Sequence, residues 1–301
     1  MYEENLLHLQ PDFYDRFRCR AAACRHSCCK GWEIDIDENT LALYQSLSGT
    51  WREKMDAAIV CDESGAHFRL TEEERCPFLQ QDGLCELIRA LGEDALCDIC
   101  ALHPRFYELA GPYELAGLGL SCEAVCDLLL SEEGELMLRC EETGEKTALS
   151  SLLKTLGCEE GEGALRFTPT ADLDGMLQRL EQTEAIDAAW PEELCSLRKA
   201  MKTGPLPEIP TGPRYDRMQQ YILFRNIEHA ENTGWRAVLD YAREGVSFVA
   251  LQDALYGADP EHLRRWSEQI EYSTENVDLL LQALNSFRKS ELSLDSALRR
   301  C

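Results

Sequence analysis

Thiols are the residues of this 301-residue chain whose type and spacing promise chemistry. There are fifteen cysteines, and eleven of them fall between Cys19 and Cys126. They come in clusters: Cys19, Cys24, Cys28 and Cys29; Cys76 and Cys85; Cys97 and Cys100; Cys122 and Cys126. Thiolates three or four residues apart on a helical turn share a face, so Cys97/Cys100 and Cys122/Cys126 can each turn two sulfurs toward one ion. At Cys28-Cys29 the side chains are expected to diverge, one serving as ligand and the other packing or serving a second centre. Tetrahedral zinc and iron–sulfur clusters both need convergent thiolates, and the spacing leaves the choice between them open. The candidate metal ligands are Cys19, Cys24, Cys28, Cys29, Cys76, Cys85, Cys97, Cys100 and Cys122. Cys61 and Cys126 are read as bystanders.

Other thiol chemistries fit less well. A disulfide framework is out of keeping with a chain whose first residues, rich in Glu, do not form a secretory leader, so a cytoplasmic location is expected. A nucleophilic cysteine with His103 as base lacks any feature that singles out one thiol. The C-x3-C-x2-C pattern of radical S-adenosylmethionine enzymes is half met by Cys24 and Cys28 and then fails, because residue 31 is Gly.

Short elements must position these thiols. Trp32 to Asp37 alternates apolar and polar residues and predicts a strand. Asp37 reads as the N-cap of a helix through Leu47. His67 to Leu70 predicts another strand, Asp82-Gly83 a turn, and Leu84 to Leu91 a helix stopped by Gly92. Gly111-Pro112 divides two apolar runs into a hairpin, and Ser121 is expected to cap a helix from Cys122 to about Leu130. Beyond Glu159-Glu160-Gly161-Glu162-Gly163 the pattern turns helical, with Tyr215, Met218, Tyr221, Ile222 and Ile227 at helical spacing, a helix start at Asp259-Pro260, and an apolar stripe at Leu279 to Leu284. The expected fold is therefore α+β and mainly α. A cysteine-rich metal or iron–sulfur module with short strands spans 1–135, a linker region 136–169, and an α-helical domain 170–301.

Charge narrows the partners. The formal net charge is −25, which repels phosphate backbones and anionic bilayers and favours a cationic partner. Nucleic acid and membrane are thus not expected, and no apolar run approaches the ~20 residues of a membrane span.

The motifs Phe17-Arg18-Cys19, Cys24-x3-Cys28-Cys29-Lys30-Gly31-Trp32, Cys76-Pro77-Phe78-Leu79, Asp82-Gly83-Leu84-Cys85, Leu96-Cys97-x2-Cys100, Pro104-Arg105 and Ser121-Cys122 together resemble the bacterial flagellin lysine N-methylases. Their cysteine-rich part belongs with a wider group of zinc- or iron-chelating domains. The resemblance covers residues 11–130 and is weaker afterward, at Tyr221 to Arg225. It implies a lysine N-methyltransferase that takes the methyl group of S-adenosylmethionine to flagellin, with an iron–sulfur cluster, of the [4Fe-4S] kind, or zinc. His103, before Pro104-Arg105, departs from the family pattern.

The residues themselves support methyl transfer only in part. A Rossmann-type site would show a Gly-rich turn after a strand, and Gly117-Leu118-Gly119 is a loose match in a hairpin context. Lysine is protonated at neutral pH, so a base or desolvating pocket is required. Tyr215, Asp216, Tyr221 and Arg225 sit on one helix and either line such a pocket or pack in a core. The competing reading is a non-enzymatic metal- or redox-sensing module.

Overall fold

Capping residues and turn glycines partition the chain. In the computed structural model, residues 6–63, 65–203 and 207–298 are described. A first strand, β1 (Leu7–Pro11), precedes α1 (Glu38–Ser46), α2 (Thr50–Ala58), β2 (Ile59–Asp62), β3 (Gly65–Phe68), α3 (Glu86–Leu91) and α4 (Asp98–Leu102). Then come β4 (Arg105–Ala110), β5 (Tyr113–Leu118), α5 (Glu123–Leu130), β6 (Met137–Cys140), β7 (Lys146–Ala148) and α6 (Leu149–Thr155). The remainder is helical: α7 (Leu173–Leu180), α8 (Trp190–Thr203), α9 (Pro213–Arg225), α10 (Ala230–Thr233), α11 (Trp235–Tyr256), α12 (Pro260–Ile270) and α13 (Thr274–Leu298). The fold is α+β and mainly α.

Two units result: a smaller one, Arg18–Phe106, and a larger one made of Met1–Phe17 and Tyr107–Cys301. This division differs from three consecutive segments. Residues 136–169, expected as a linker, hold β6, β7 and α6. The helices after 170 are bonded to the residues before them. Gln220 on α9 accepts the Leu136 N–H at 2.7 Å. Tyr221, also on α9, donates to the Leu118 carbonyl at 2.8 Å and accepts the Leu118 N–H at 2.7 Å.

In the smaller unit, Asp37 caps α1 by accepting the Thr40 N–H at 2.9 Å, as the sequence predicts. Residues 32–37 form no regular strand. They run beside β3 through a single bridge, Asp35 to His67, with Phe68 N–H donating to Ile34 and Ile36 N–H to Ala66. The alternation still works: Ile34 and Ile36 are buried while Glu33 and Asp35 are exposed. They pack with Tyr44, Met55, Phe68, Phe78 and Leu87, and Phe68 meets Phe78 edge to face at 5.1 Å.

The larger unit carries a five-stranded sheet in the order β4-β5-β1-β6-β7. β1 runs parallel to β5 and antiparallel to β6. The hairpin expected at Gly111-Pro112 is β4-β5. Ser121 is not the cap of α5; Cys122 occupies the N-cap position, with no side-chain capping bond. Asp259 does cap α12, accepting the Glu261 N–H at 2.9 Å. Among the described residues no helix is long and apolar enough to cross a membrane.

Candidate metal centre

The smaller unit has only short elements, and its loops are pinned where cysteines stand. Cys76 N–H donates to the Cys29 carbonyl at 2.9 Å, and Gly31 N–H to Glu74 at 2.9 Å. Gly31 has φ +84°, a turn that an L side chain would strain. The segment from Cys76 to Cys85 folds on itself, with Leu79 bridging Cys85 and Glu86 N–H donating to Phe78 at 2.8 Å. Its turn residue Gly83 has φ +78°, and a Cβ there would lie 3.1 Å from that of Ala22. Cys85 is the N-cap of α3 and Cys97 the N-cap of α4. Asp37 accepts the Asp98 N–H at 3.0 Å with its second oxygen, so one carboxylate fixes both α1 and the start of α4. The Tyr44 hydroxyl donates to the Ala95 carbonyl at 2.7 Å just before Cys97.

These anchors bring five cysteines to the core of the smaller unit, though among the described residues no three of their sulfurs lie within 4.8 Å of one another. Cys76 and Cys97 are buried in the apolar core of the smaller unit, and Cys29, Cys85 and Cys100 pack against it half-buried. Cys28 is exposed but shares a thiol–thiol hydrogen bond with Cys29, so the two side chains do not simply diverge. Cys19 is exposed and accepts the Ala21 N–H at 3.3 Å, and Cys24 is half-buried. Neither belongs to that core. Cys122 lies in the larger unit, half-buried. None of the described cysteines is in a disulfide.

The electrostatics of the five are those of a crowded donor set. Burial pushes Cys76 up to about 12, against the pull of the Phe78 N–H, and the charges of Cys29, Cys85 and Cys97 push the same way. Burial raises Cys85 although the Ile88 and Leu87 N–H groups favour its thiolate. The Cys100 thiol donates to Cys97 and lowers it; the same bond, with burial, raises Cys100. The bond from Cys28 brings Cys29 down to about 7. Each thiolate formed here makes the next harder to form. A cationic centre removes that conflict, and N–H donors on the sulfurs stabilise the ligated form. The donor chemistry of these five thiols is that of a soft-metal ligand set.

No family model and no solved structure matches the chain. Curated proteins do. It is 29% identical over 152 residues, 48% of this chain and 37% of that protein, to a lysine-N-methylase of Salmonella typhimurium. A lysine-N-methylase of Salmonella choleraesuis gives 28% over the same length, again 37% of that protein. To the flagellar biosynthetic protein FliU of Salmonella muenchen it is 30% identical over 147 residues, 47% of this chain and 84% of that protein. The chain belongs to the lysine-N-methylase and FliU family. It aligns with little more than a third of the length of the two lysine-N-methylases.

In this family member the remaining residues of interest have internal duties. Tyr215 donates to Asp253 at 2.9 Å, Asp216 accepts the Phe167 N–H at 2.7 Å, and Tyr221 is held by both backbone groups of Leu118. Arg225 pairs with the buried Glu271 at 3.4 Å. These bonds support the packing reading of α9. Leu118, centre of the Gly117-Leu118-Gly119 motif, ends β5. Cys126 is wholly buried and donates to the Leu120 carbonyl at 2.9 Å. Cys61 is exposed on β2. His103 stacks near Trp32 at 6.4 Å, its Nε2 is buried without a partner, and burial holds it down to about 4. The sequence did not flag Tyr44, whose apolar spacing hides a hydroxyl that fixes the approach to Cys97.

Proposed function

We propose that this chain is a protein-lysine N-methyltransferase acting on flagellin, with S-adenosylmethionine as methyl donor and an iron–sulfur cluster held by cysteine thiolates. Family membership carries the methylase reading: relatives of this chain bear the names lysine-N-methylase and FliU. The crowded thiols support the metal. Cys29, Cys76, Cys85, Cys97 and Cys100 are the primary donors, and Cys19, Cys24, Cys28 and Cys122 are further candidates. When bound, such a cluster supplies a structural clamp and a one-electron redox centre. The chain's own residues would shield it: Phe68, Phe78 and Leu87 belong to the apolar core that the cysteines pack against, and N–H groups favour the thiolates of Cys76, from Phe78, and of Cys85, from Leu87 and Ile88. Free thiols and the absence of a membrane-crossing helix among the described residues suit work in the cytoplasm. The net charge of −25 suits a lysine-bearing protein.

The test is anaerobic purification with reconstitution, metal and sulfide analysis, and transfer of labelled methyl from S-adenosylmethionine to flagellin. Iron with acid-labile sulfide and label on lysine is the expected result. Zinc without sulfide would make the centre a colourless clamp. No label, with no binding of S-adenosylmethionine by calorimetry, would leave a metal- or redox-sensing module in place of an enzyme.

A further inference from the structure

Asp253, near the end of α11, has a side chain only 1% exposed and gathers four groups. Tyr215 donates to its Oδ2 at 2.9 Å, and the Arg214 Nε lies 3.7 Å from the same oxygen. His262 Nδ1 lies 2.6 Å from Oδ1, which the Asp259 N–H approaches at 3.4 Å. A carboxylate only accepts, so the neutral imidazole carries its proton on Nδ1 and turns the lone pair of Nε2 away from Asp253. Among the described residues nothing bonds Nε2, and the side chain is 17% exposed. Tyr256, the last residue of α11, is 59% exposed and stands edge-on to the imidazole at 6.5 Å.

Asp253 and its donors knit α9, α11 and the start of α12, and the imidazole keeps its second nitrogen unbonded among the described residues. A buried carboxylate behind a histidine is the arrangement that makes a base: it fixes the tautomer and stabilises the imidazolium formed on proton uptake. The groups around it are Arg214 and Tyr215 from α9, Asp253 and Tyr256 from α11, and Asp259 and Glu261 at the start of α12. Arg214 sits at the oxygen His262 does not use, and the Glu261 carboxylate is taken by Arg264 at 2.7 Å. The ring of Tyr256, exposed and near the imidazole, is a surface of the kind that takes a cation.

We propose that His262, oriented by Asp253, is the general base that deprotonates a lysine side-chain ammonium, with Tyr256 receiving that cation. This rests on the methyltransferase reading. His262 Nε2 takes one proton from the Nζ ammonium, giving a neutral amine and an imidazolium paired with Asp253. The Nζ lone pair then forms the N–C bond to the sulfonium methyl. The C–S bond breaks, and its electron pair stays on sulfur, which leaves as the neutral thioether. The imidazolium returns its proton to water, and the methylated nitrogen carries the positive charge.

The test compares reconstituted full-length wild type with H262N, H262Q and H262A, using labelled S-adenosylmethionine and flagellin over a pH series, with rates normalised to the folded fraction by circular dichroism. Asn keeps a donor for Asp253 and removes the base; H262Q is the second variant if H262N folds poorly. H262N is expected to lower kcat by ~10²- to 10⁴-fold with cluster absorbance unchanged, and to lose the acid limb of the pH–rate profile. Added imidazole should restore part of the rate to H262A, and Y256A should raise KM while kcat holds. A folded H262N with wild-type kcat and pH profile overturns the proposal and leaves the methylase reading standing. A wild type that transfers no methyl overturns that reading and the base with it.

Discussion

The two units use cysteine in opposite ways. In the larger unit Cys126, Cys140 and Cys158 are buried among helices and strands that would hold without them, as small hydrophobes commonly are. In the smaller unit the sulfurs sit where loops meet a modest core, at helix N-caps and turn bases, and their charges oppose one another. Residue type is the same in both. What separates the two sets is number: in the smaller unit several sulfurs raise the cost of one another's ionisation and backbone N–H groups are aimed at Cys76 and Cys85, whereas Cys126 has one such neighbour, Cys122.

The contrast can be broken from either side. The largest effect should come from replacing Cys97 and Cys100 together by Ser. Metal content should fall to background and the melting transition of the smaller unit should be lost, whereas Cys126→Ser should leave metal content at the wild-type level; equal loss in both would erase the distinction. Phe68→Ala, under the thiols, should destabilise the smaller unit by about 3–5 kcal/mol, with a chelator adding little further. In the larger unit, Tyr221→Phe strands both backbone groups of Leu118 and should cost about 1–3 kcal/mol in denaturant unfolding, with metal content intact.

The smallest effect is a pH dependence in the larger unit. Burial, with a hydrogen bond to Glu228, pushes Glu108 up to about 8. The folded state therefore holds a proton that the unfolded state releases at lower pH. The native state carries no penalty at pH values below the ordinary carboxylate range, and stability falls as pH rises from there through about 8. Glu108→Gln should raise the melting temperature at pH 9 and make no difference at pH 4. A difference that persists at pH 4 would assign the effect to packing.

Much of this was legible in the sequence because it rests on local rules. Asp37 and Asp259 announce their caps, Gly92 its helix stop, and Gly111-Pro112 its hairpin. Cysteine spacing put Cys97 and Cys100 on one turn. What escaped is non-local. Residues 32–37 alternate like a strand, but β3 offers them a single bridge. Residues 136–169 are polar and Gly-rich, yet β6 finds a partner in β1, about 130 residues earlier in the chain, and no local pattern encodes that pairing. Cys29 meeting Cys76 is equally a matter of tertiary closure.

The sheet order also sets a schedule. β1 lies between β5 and β6, so the first strand synthesised has no neighbour until residue 113 and beyond have been made. At ribosomal speeds the wait is about 5–20 s. In that interval the whole of Arg18–Phe106 is made, before the sheet of the larger unit can close. The smaller unit is therefore a segment that can begin to fold on its own schedule, ahead of the sheet that its flanking strands complete.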